Sequence, residues 1–140
     1  MKVSEAMTAQ VVTAAPQATV AEVARTMSQI DSGVVPIVDG GKVVGLVTDR
    51  DIVVRVVAKN GPLDMPVSQV MSDDVQTCLE DDSVADAAGQ MASHQIRRLV
   101  VTDASGKLTG ILSLGDIAQD FGAKQVGKTL EDISEAPASH

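Results

Sequence analysis

Aromatic side chains are almost missing from this chain: of 140 residues only Phe121 carries an aromatic ring other than histidine. Proteins that read nucleic acid combine stacking rings with a basic face, and here 11 Lys and Arg stand against 19 Asp and Glu, a net charge of -8. DNA and RNA are therefore not expected partners. Cys78 is the single cysteine, which excludes an intrachain disulfide and a multi-thiolate metal site and fits a reducing compartment. His94 has only His140 as a possible second histidine ligand, so no metal centre is expected. Long apolar runs are missing too: Arg55 interrupts even IVVRVVA, and the opening MKVSEAMTAQVVTAAPQATV holds no continuous apolar core. The expectation is a soluble cytoplasmic protein with no signal peptide and no membrane contact.

Catalytic signatures are also absent. There is no nucleophile elbow, glycine-rich phosphate loop, zinc-binding helix or pair of catalytic carboxylates. What the chain does have is an apolar fraction of 44%, made of Val, Ala, Ile, Leu and Met, enough to bury a core at this length.

It also has a phrase written twice. GLVTDRDI, beginning at Gly45, returns as GILSLGDI, beginning at Gly110. The repetition runs through the whole chain: Met7, Thr13, Thr19, Val20, Met27 and Asp39 match Met71, Thr77, Ser83, Val84, Met91 and Asp103 at an offset of 64. One extra residue in DASGK relative to DGGK then shifts the offset to 65, pairing Gly45 with Gly110, Thr48 with Ser113 and Asp51 with Asp116. A single insertion placed in a turn is what a duplicated unit tolerates.

Each unit reads as strand, helix, strand, strand, helix. The short runs QVVTA and DVQTC open the units. Thr19 with Glu22, and Ser83 with Asp86, have capping-box spacing ahead of an apolar stripe at helical period: Val20, Val23, Ala24, Met27 and Ile30 in the first unit. VVPIV and KVVGLV, then RLVVT and KLTGIL, are hairpins around DGGK and DASGK, and DRDIVVRVVA and LGDIAQDF are the closing helices. The fold class is α+β, two tandem β-α-β-β-α repeats whose small sheets pack against each other. The first repeat spans 1–58, a Gly- and Pro-containing linker 59–66, the second repeat 67–121, and a tail 122–140 with one short helix around Thr129–Ile133 and disordered last residues.

The repeated phrase has two readings. Thr48 and Asp51, like Ser113 and Asp116, are spaced to cap the helix that follows. Capping leaves Gly45 and Gly110 unexplained, since glycine inside a strand marks a bulge or a close approach, here expected to be that of a ligand. An aspartate beside such a strand is also able to accept hydrogen bonds from both hydroxyls of a ribose diol, with the neighbouring hydroxyl as a polar anchor.

Two units with Gly, two apolar residues, Thr or Ser, two free positions and Asp, opened by MTAQVVT and MSDDVQT, resemble a tandem CBS-domain pair, or Bateman module. The resemblance covers residues 1–121. It implies units related by a pseudo-two-fold, clefts between them that bind AMP, ADP, ATP, NAD or S-adenosylmethionine, and further pairing into a homodimer. By the same resemblance Asp51 and Asp116 hold the ribose, beside Thr48 and Ser113. Thr13 and Thr77 touch the ligand from the opening strands, the backbone of Val34, Val35 and Pro36 holds the base, and Arg97 and Arg98 face phosphate; Arg50, inside TDRD, is a further charge near the first copy. It further implies a stand-alone regulator rather than an enzyme, signalling to an unknown protein target. The alternative is a ligand-free structural or dimerising module in which the aspartates only cap and the arginines are solvated or pair with acids such as Asp103.

Smaller features have plain readings. Cys78 follows Thr77 on an apolar-alternating strand and reads as a buried structural thiol, and Glu80, Asp81 and Asp82 complement a helix start. The in-register methionines read as core. The valines at 53, 54, 56 and 57 offer an apolar helix face for self-association.

Overall fold

The computed structural model describes residues 1–121 and residue 133. The chain forms two compact units: Val11–Val75, and a second one in which Met1–Gln10 join the residues from Gln76 onward. The tail helix expected around Thr129–Ile133 lies outside the described residues except for Ile133, which is buried in the second unit's core.

In the unit Val11–Val75, helix α2 (Val20–Ile30) is capped by Thr19 in a complete capping box with Glu22. Val20, Val23 and Met27 face inward, whereas Ala24 and Ile30, expected on the same stripe, are exposed because a narrow sheet covers less than the full apolar arc. Strands β1 (Val34–Asp39) and β2 (Lys42–Thr48) form an antiparallel hairpin and lead into α3 (Asp49–Arg55). Residues 63–66, read as linker, are fastened to the start of α2: the Val20 and Ala21 amides donate to the carbonyls of Met65 and Leu63. The core is Val20, Val23, Met27, Val35, Ile37, Val47, Ile52, Val56, Val67 and Val70.

The other unit opens with a short helix α1 (Val3–Ala6), followed much later by β3 (Thr77–Leu79), α4 (Val84–His94), β4 (Arg98–Thr102), β5 (Leu108–Ser113) and α5 (Leu114–Phe121). β3 pairs parallel with β4, and β4 pairs antiparallel with β5. In the first unit the matching opening strand shrinks to one bridge between Ala14 and Ile37. Proline explains the difference. Glu80 donates its N–H to the Thr102 carbonyl at 3.0 Å, and the residue at the equivalent place, Pro16, has no N–H to give.

The ten N-terminal residues are part of the second unit's core rather than of the repeat they precede. Val3 is fully buried beside Ala6, Val84, Met91 and Leu112, and the chain is stitched by Val3 N–H to Asp82 O at 2.8 Å and Val84 N–H to Met1 O at 2.9 Å. The exchange is mutual in pattern: the opening of the second repeat, Met71-Ser72, completes the edge of β2 in the first unit through Leu46, as Thr8 does for β5 through Ile111.

The α3 face matches the expected valine surface in part. The closing helix stops at Arg55, short of the expected DRDIVVRVVA; Val53 and Val54 on it and Val57 in the 3-10 turn beyond are exposed, but Val56 between them points into the core. Among the described residues no helix is long and apolar enough to cross a membrane.

Candidate functional site

Each copy of the phrase forms the end of a strand and the first turn of a helix. In the first copy the Asp51 amide donates to Thr48 Oγ1 at 3.1 Å, and the Thr48 amide donates to Asp51 Oδ2 at 2.9 Å. In the second the Asp116 amide donates to Ser113 Oγ at 3.1 Å, and the Ser113 amide to Asp116 Oδ2 at 3.0 Å. Both aspartates are thus reciprocal caps, each using one carboxylate oxygen and remaining partly open to solvent. Each box satisfies two amides that a helix start would otherwise leave unpaired.

The glycines have a different role from the one expected. A Cβ built on Gly45 would stand 3.0 Å from the Ser72 carbonyl and closer still to the Met71 thioether; on Gly110 it would stand 2.6 Å from Met7 Sδ and 2.7 Å from the Thr8 carbonyl. The approach that needs glycine is made by the chain's own methionine segments, not by a ligand. A bulge accompanies it in both units, where the pairing register skips Val44 and Thr109, the residues just before the glycines.

The remaining oxygens of the two aspartates differ. Asp51 Oδ1 lies 3.8 Å from Arg55 Nε, and Arg55 also donates through Nη1 to the Val70 and Met71 carbonyls at 3.0 and 3.3 Å. Asp116 Oδ1 has no such partner among the described residues, and Asp120 occupies the position that matches Arg55.

The other sequence-selected residues gather near the same ends of the sheets. Val34 is paired with Thr48, Val35 and Pro36 are buried next to it, and Thr13 precedes the bridge at Ala14, whose N–H donates to the Pro36 carbonyl at 3.0 Å. Arg50 is exposed at the start of α3. In the second unit Arg98 is paired with Ser113, the Leu114 amide donates to the Arg97 carbonyl at 3.0 Å, and Thr77 lies one strand away opposite Val100. Both arginines are exposed and make no ion pair among the described residues. They do not pair with Asp103. Its carboxylate closes its own turn, accepting from the Ser105 hydroxyl at 2.6 Å and the Lys107 amide at 3.0 Å, and these bonds hold its pKa below the usual value.

Two participants escaped sequence reasoning. Asp49 lies against Gly33, where a Cβ would come within 2.9 Å of its Oδ2, and Arg55 lies 3.8 Å from Asp51. A helical i,i+4 spacing of Asp51 and Arg55 was the available signal for the second. Cys78 is buried in the core of its unit, and burial together with the Asp82 charge pushes its thiol up to about 11. His94 sits exposed in the last turn of α4.

The CBS-domain family model matches residues 3–58 and 67–121, nearly all of the described chain. The chain belongs to the CBS-domain family. It is similar to the CBS domain-containing protein YhcV of Bacillus subtilis, at 40% identity over 94% of both chains. Among solved structures, a CBS domain protein from Pyrobaculum aerophilum complexed with AMP is 29% identical, covers 97% of this chain and 100% of its own, and superposes with a TM-score of 0.79. The CBS domain pair of protein MJ0100, in complex with 5'-methylthioadenosine and S-adenosyl-L-methionine, is also 29% identical, over 89% of this chain and 98% of its own, with a TM-score of 0.78. The α+β architecture with two CBS repeats is therefore that of the family, whose paired repeats are regulatory modules.

Proposed function

We propose that this CBS pair binds an adenosine-containing ligand at the repeated phrase and passes its bound state to another protein without catalysing a reaction. AMP, ADP, ATP, NAD and S-adenosylmethionine are the ligand set. The observation that carries the reading is the aspartate geometry: each of Asp51 and Asp116 is fixed by a cap through one oxygen, and at Asp116 the other, unpartnered among the described residues, is able to accept from a ribose diol. Relatives with 29% identity hold AMP, methylthioadenosine and S-adenosylmethionine, which supports the class without choosing its member.

Carried onto this chain, Thr48 and Ser113 stand beside the ribose, Thr13 and Thr77 approach from the opening strands, and the backbone of Val34, Val35 and Pro36 holds the base. Arg50, Arg97 and Arg98 are the cations available to phosphate. A ligand shifts the protein only by its differential affinity for two arrangements, so the response passes to a partner through whichever arrangement is favoured when bound. The exposed Val53, Val54 and Val57 are the face on which a second copy pairs to form a homodimer in the cytoplasm.

A second reading is favoured by the caps themselves: both aspartates have a structural task, as a ligand-free interaction module requires. Calorimetric titration with AMP, ATP, NAD and S-adenosylmethionine, repeated on Asp51→Ala and Asp116→Ala, separates the two. Heat from one ligand, lost in at least one variant, supports the sensor. Silence from the whole set, with each variant losing only the stability of a cap, about 0.5–2 kcal/mol, supports the module.

A further inference from the structure

The two copies of the phrase share a backbone and differ in what surrounds it. One main-chain hydrogen bond fixes the comparison: Leu114 N–H to Arg97 O at 3.0 Å in the second copy corresponds to Asp49 N–H to Gly33 O at 2.9 Å in the first. At that matched place the second copy carries an arginine and a leucine. The first carries a glycine and an aspartate, and the Asp49 carboxylate fills the space a side chain on Gly33 would need. So where the second copy begins a guanidinium side chain, the first places a negative charge.

The next residue sharpens the contrast. Arg98 lies directly opposite Ser113 on the ladder, and directly opposed residues of antiparallel strands project on the same face, with Cβ atoms about 4.5–5.5 Å apart. Its side chain therefore starts beside the hydroxyl that caps α5, next to Asp116. The corresponding pair in the first copy is Val34 and Thr48, with no charge to offer. Arg55, 3.8 Å from Asp51, is occupied by that carboxylate and by the Val70 and Met71 carbonyls.

We propose that the copies are specialised: the second, built on Arg97, Arg98, Ser113 and Asp116, takes a phosphate-bearing adenosine ligand, and the first, built on Asp49, Thr48 and Asp51, does not. The proposal rests on the adenosine reading above and adds which copy is occupied and by what charge class. Asp116 contributes the open oxygen for the diol, and the exposed arginines contribute a planar fork that matches phosphate oxygens two at a time. In the first copy a phosphate at the equivalent place would meet the Asp49 carboxylate, which offsets the charge of its exposed neighbour Arg50, whereas the second copy has Leu114 and Gly115 at those two positions and no carboxylate to offset Arg97 and Arg98 there.

The test titrates the full chain with two probes, AMP and adenosine, using wild type, Arg97→Ala/Arg98→Ala, Arg98→Lys, Asp51→Ala and Asp116→Ala, with circular dichroism to check folding. Neither arginine is buried or ion-paired among the described residues, so the double variant is expected to fold. The expected result is one AMP per chain, weakened about 10- to 100-fold in the double arginine variant, retained in part by Arg98→Lys, abolished in Asp116→Ala and weakened far less by Asp51→Ala than by Asp116→Ala. Adenosine, which has no phosphate, binds the arginine variants with its wild-type affinity. Two equal AMP sites, AMP binding lost in Asp51→Ala but kept in Asp116→Ala, or an arginine variant that weakens both probes alike would each overturn the specialisation while leaving the adenosine reading standing. Failure of the wild-type chain to bind either probe overturns the specialisation, and the adenosine reading falls with it only when ATP, NAD and S-adenosylmethionine are silent too.

Discussion

Met7 lies against the backbone of Gly110, and Met71 lies in the same way against Gly45: a Cβ on Gly110 would stand 2.6 Å from the Met7 sulfur and 2.7 Å from the Thr8 carbonyl oxygen. A thioether side chain is able to move, but a backbone carbonyl that is itself paired with Ile111 is not. The repetition of these elements therefore has a packing reason: the methionine, the small residue after it and the strand glycine form one unit of construction in each repeat.

Gly110→Ala and Gly45→Ala are accordingly expected to destabilise by about 1–3 kcal/mol, since an extra methyl in a filled space forces the backbone to shift. Gly89→Ala is the control. Gly89 is exposed within α4 with nothing within 4 Å of a Cβ, so alanine there should stabilise by about 0.5–1 kcal/mol. Urea unfolding of the three variants reads both signs in one experiment, and a neutral Gly110→Ala would refute the packing account.

Removal of Met1–Gln10 should damage the second repeat rather than the first. Val3 is fully buried and Thr8 supplies the edge of β5, so burial of one valine alone is worth about 1.5–3 kcal/mol before the lost hydrogen bonds are counted. Hydrogen exchange of the chain lacking these ten residues is expected to show faster exchange in β4, β5 and α4, with α2 and the β1–β2 hairpin retained. Uniform loss across both units would contradict this assignment.

Cys78 predicts an alkaline limb to stability. Its folded thiol titrates at about 11 against an ordinary 9.0, so between those values the unfolded chain gives up a proton that the folded chain keeps. The contribution is complete below pH 9 and is lost as pH rises toward 11, a total of about 2–3 kcal/mol. Cys78→Ala should remove that slope while lowering stability slightly at neutral pH. A variant whose stability falls with pH as steeply as wild type would show that other groups set the limb.

Much of this was legible in the sequence because the duplication repeats its physical reasons. Thr19 and Glu22 announced a capping box, DGGK and DASGK announced turns, and both phrases announced a strand running into a helix; the structure contains all of them. The partners of the strand glycines were not legible, because Met7 is about a hundred residues from Gly110 and only the folded sheet brings them together. The first opening strand was over-read: QVVTA alternates like its counterpart, but Pro16 cannot donate the bond that would extend it. Ile30 and Ala24 were over-read for a related reason, since periodicity shows that a helix has an apolar side but not how wide a surface will cover it. At the site, Arg97 and Arg98 were visible as a departure between copies, whereas the matching Gly33–Asp49 contact needed coordinates.

The most direct test of the account is the affinity of AMP for Asp116→Ala relative to wild type, measured by titration calorimetry on protein whose fold has been checked. The account predicts that wild type binds and that the variant, less stable by the loss of one cap, gives no measurable binding. Equal affinity in the two proteins would contradict it, leaving Asp116 as a helix cap and placing any nucleotide elsewhere.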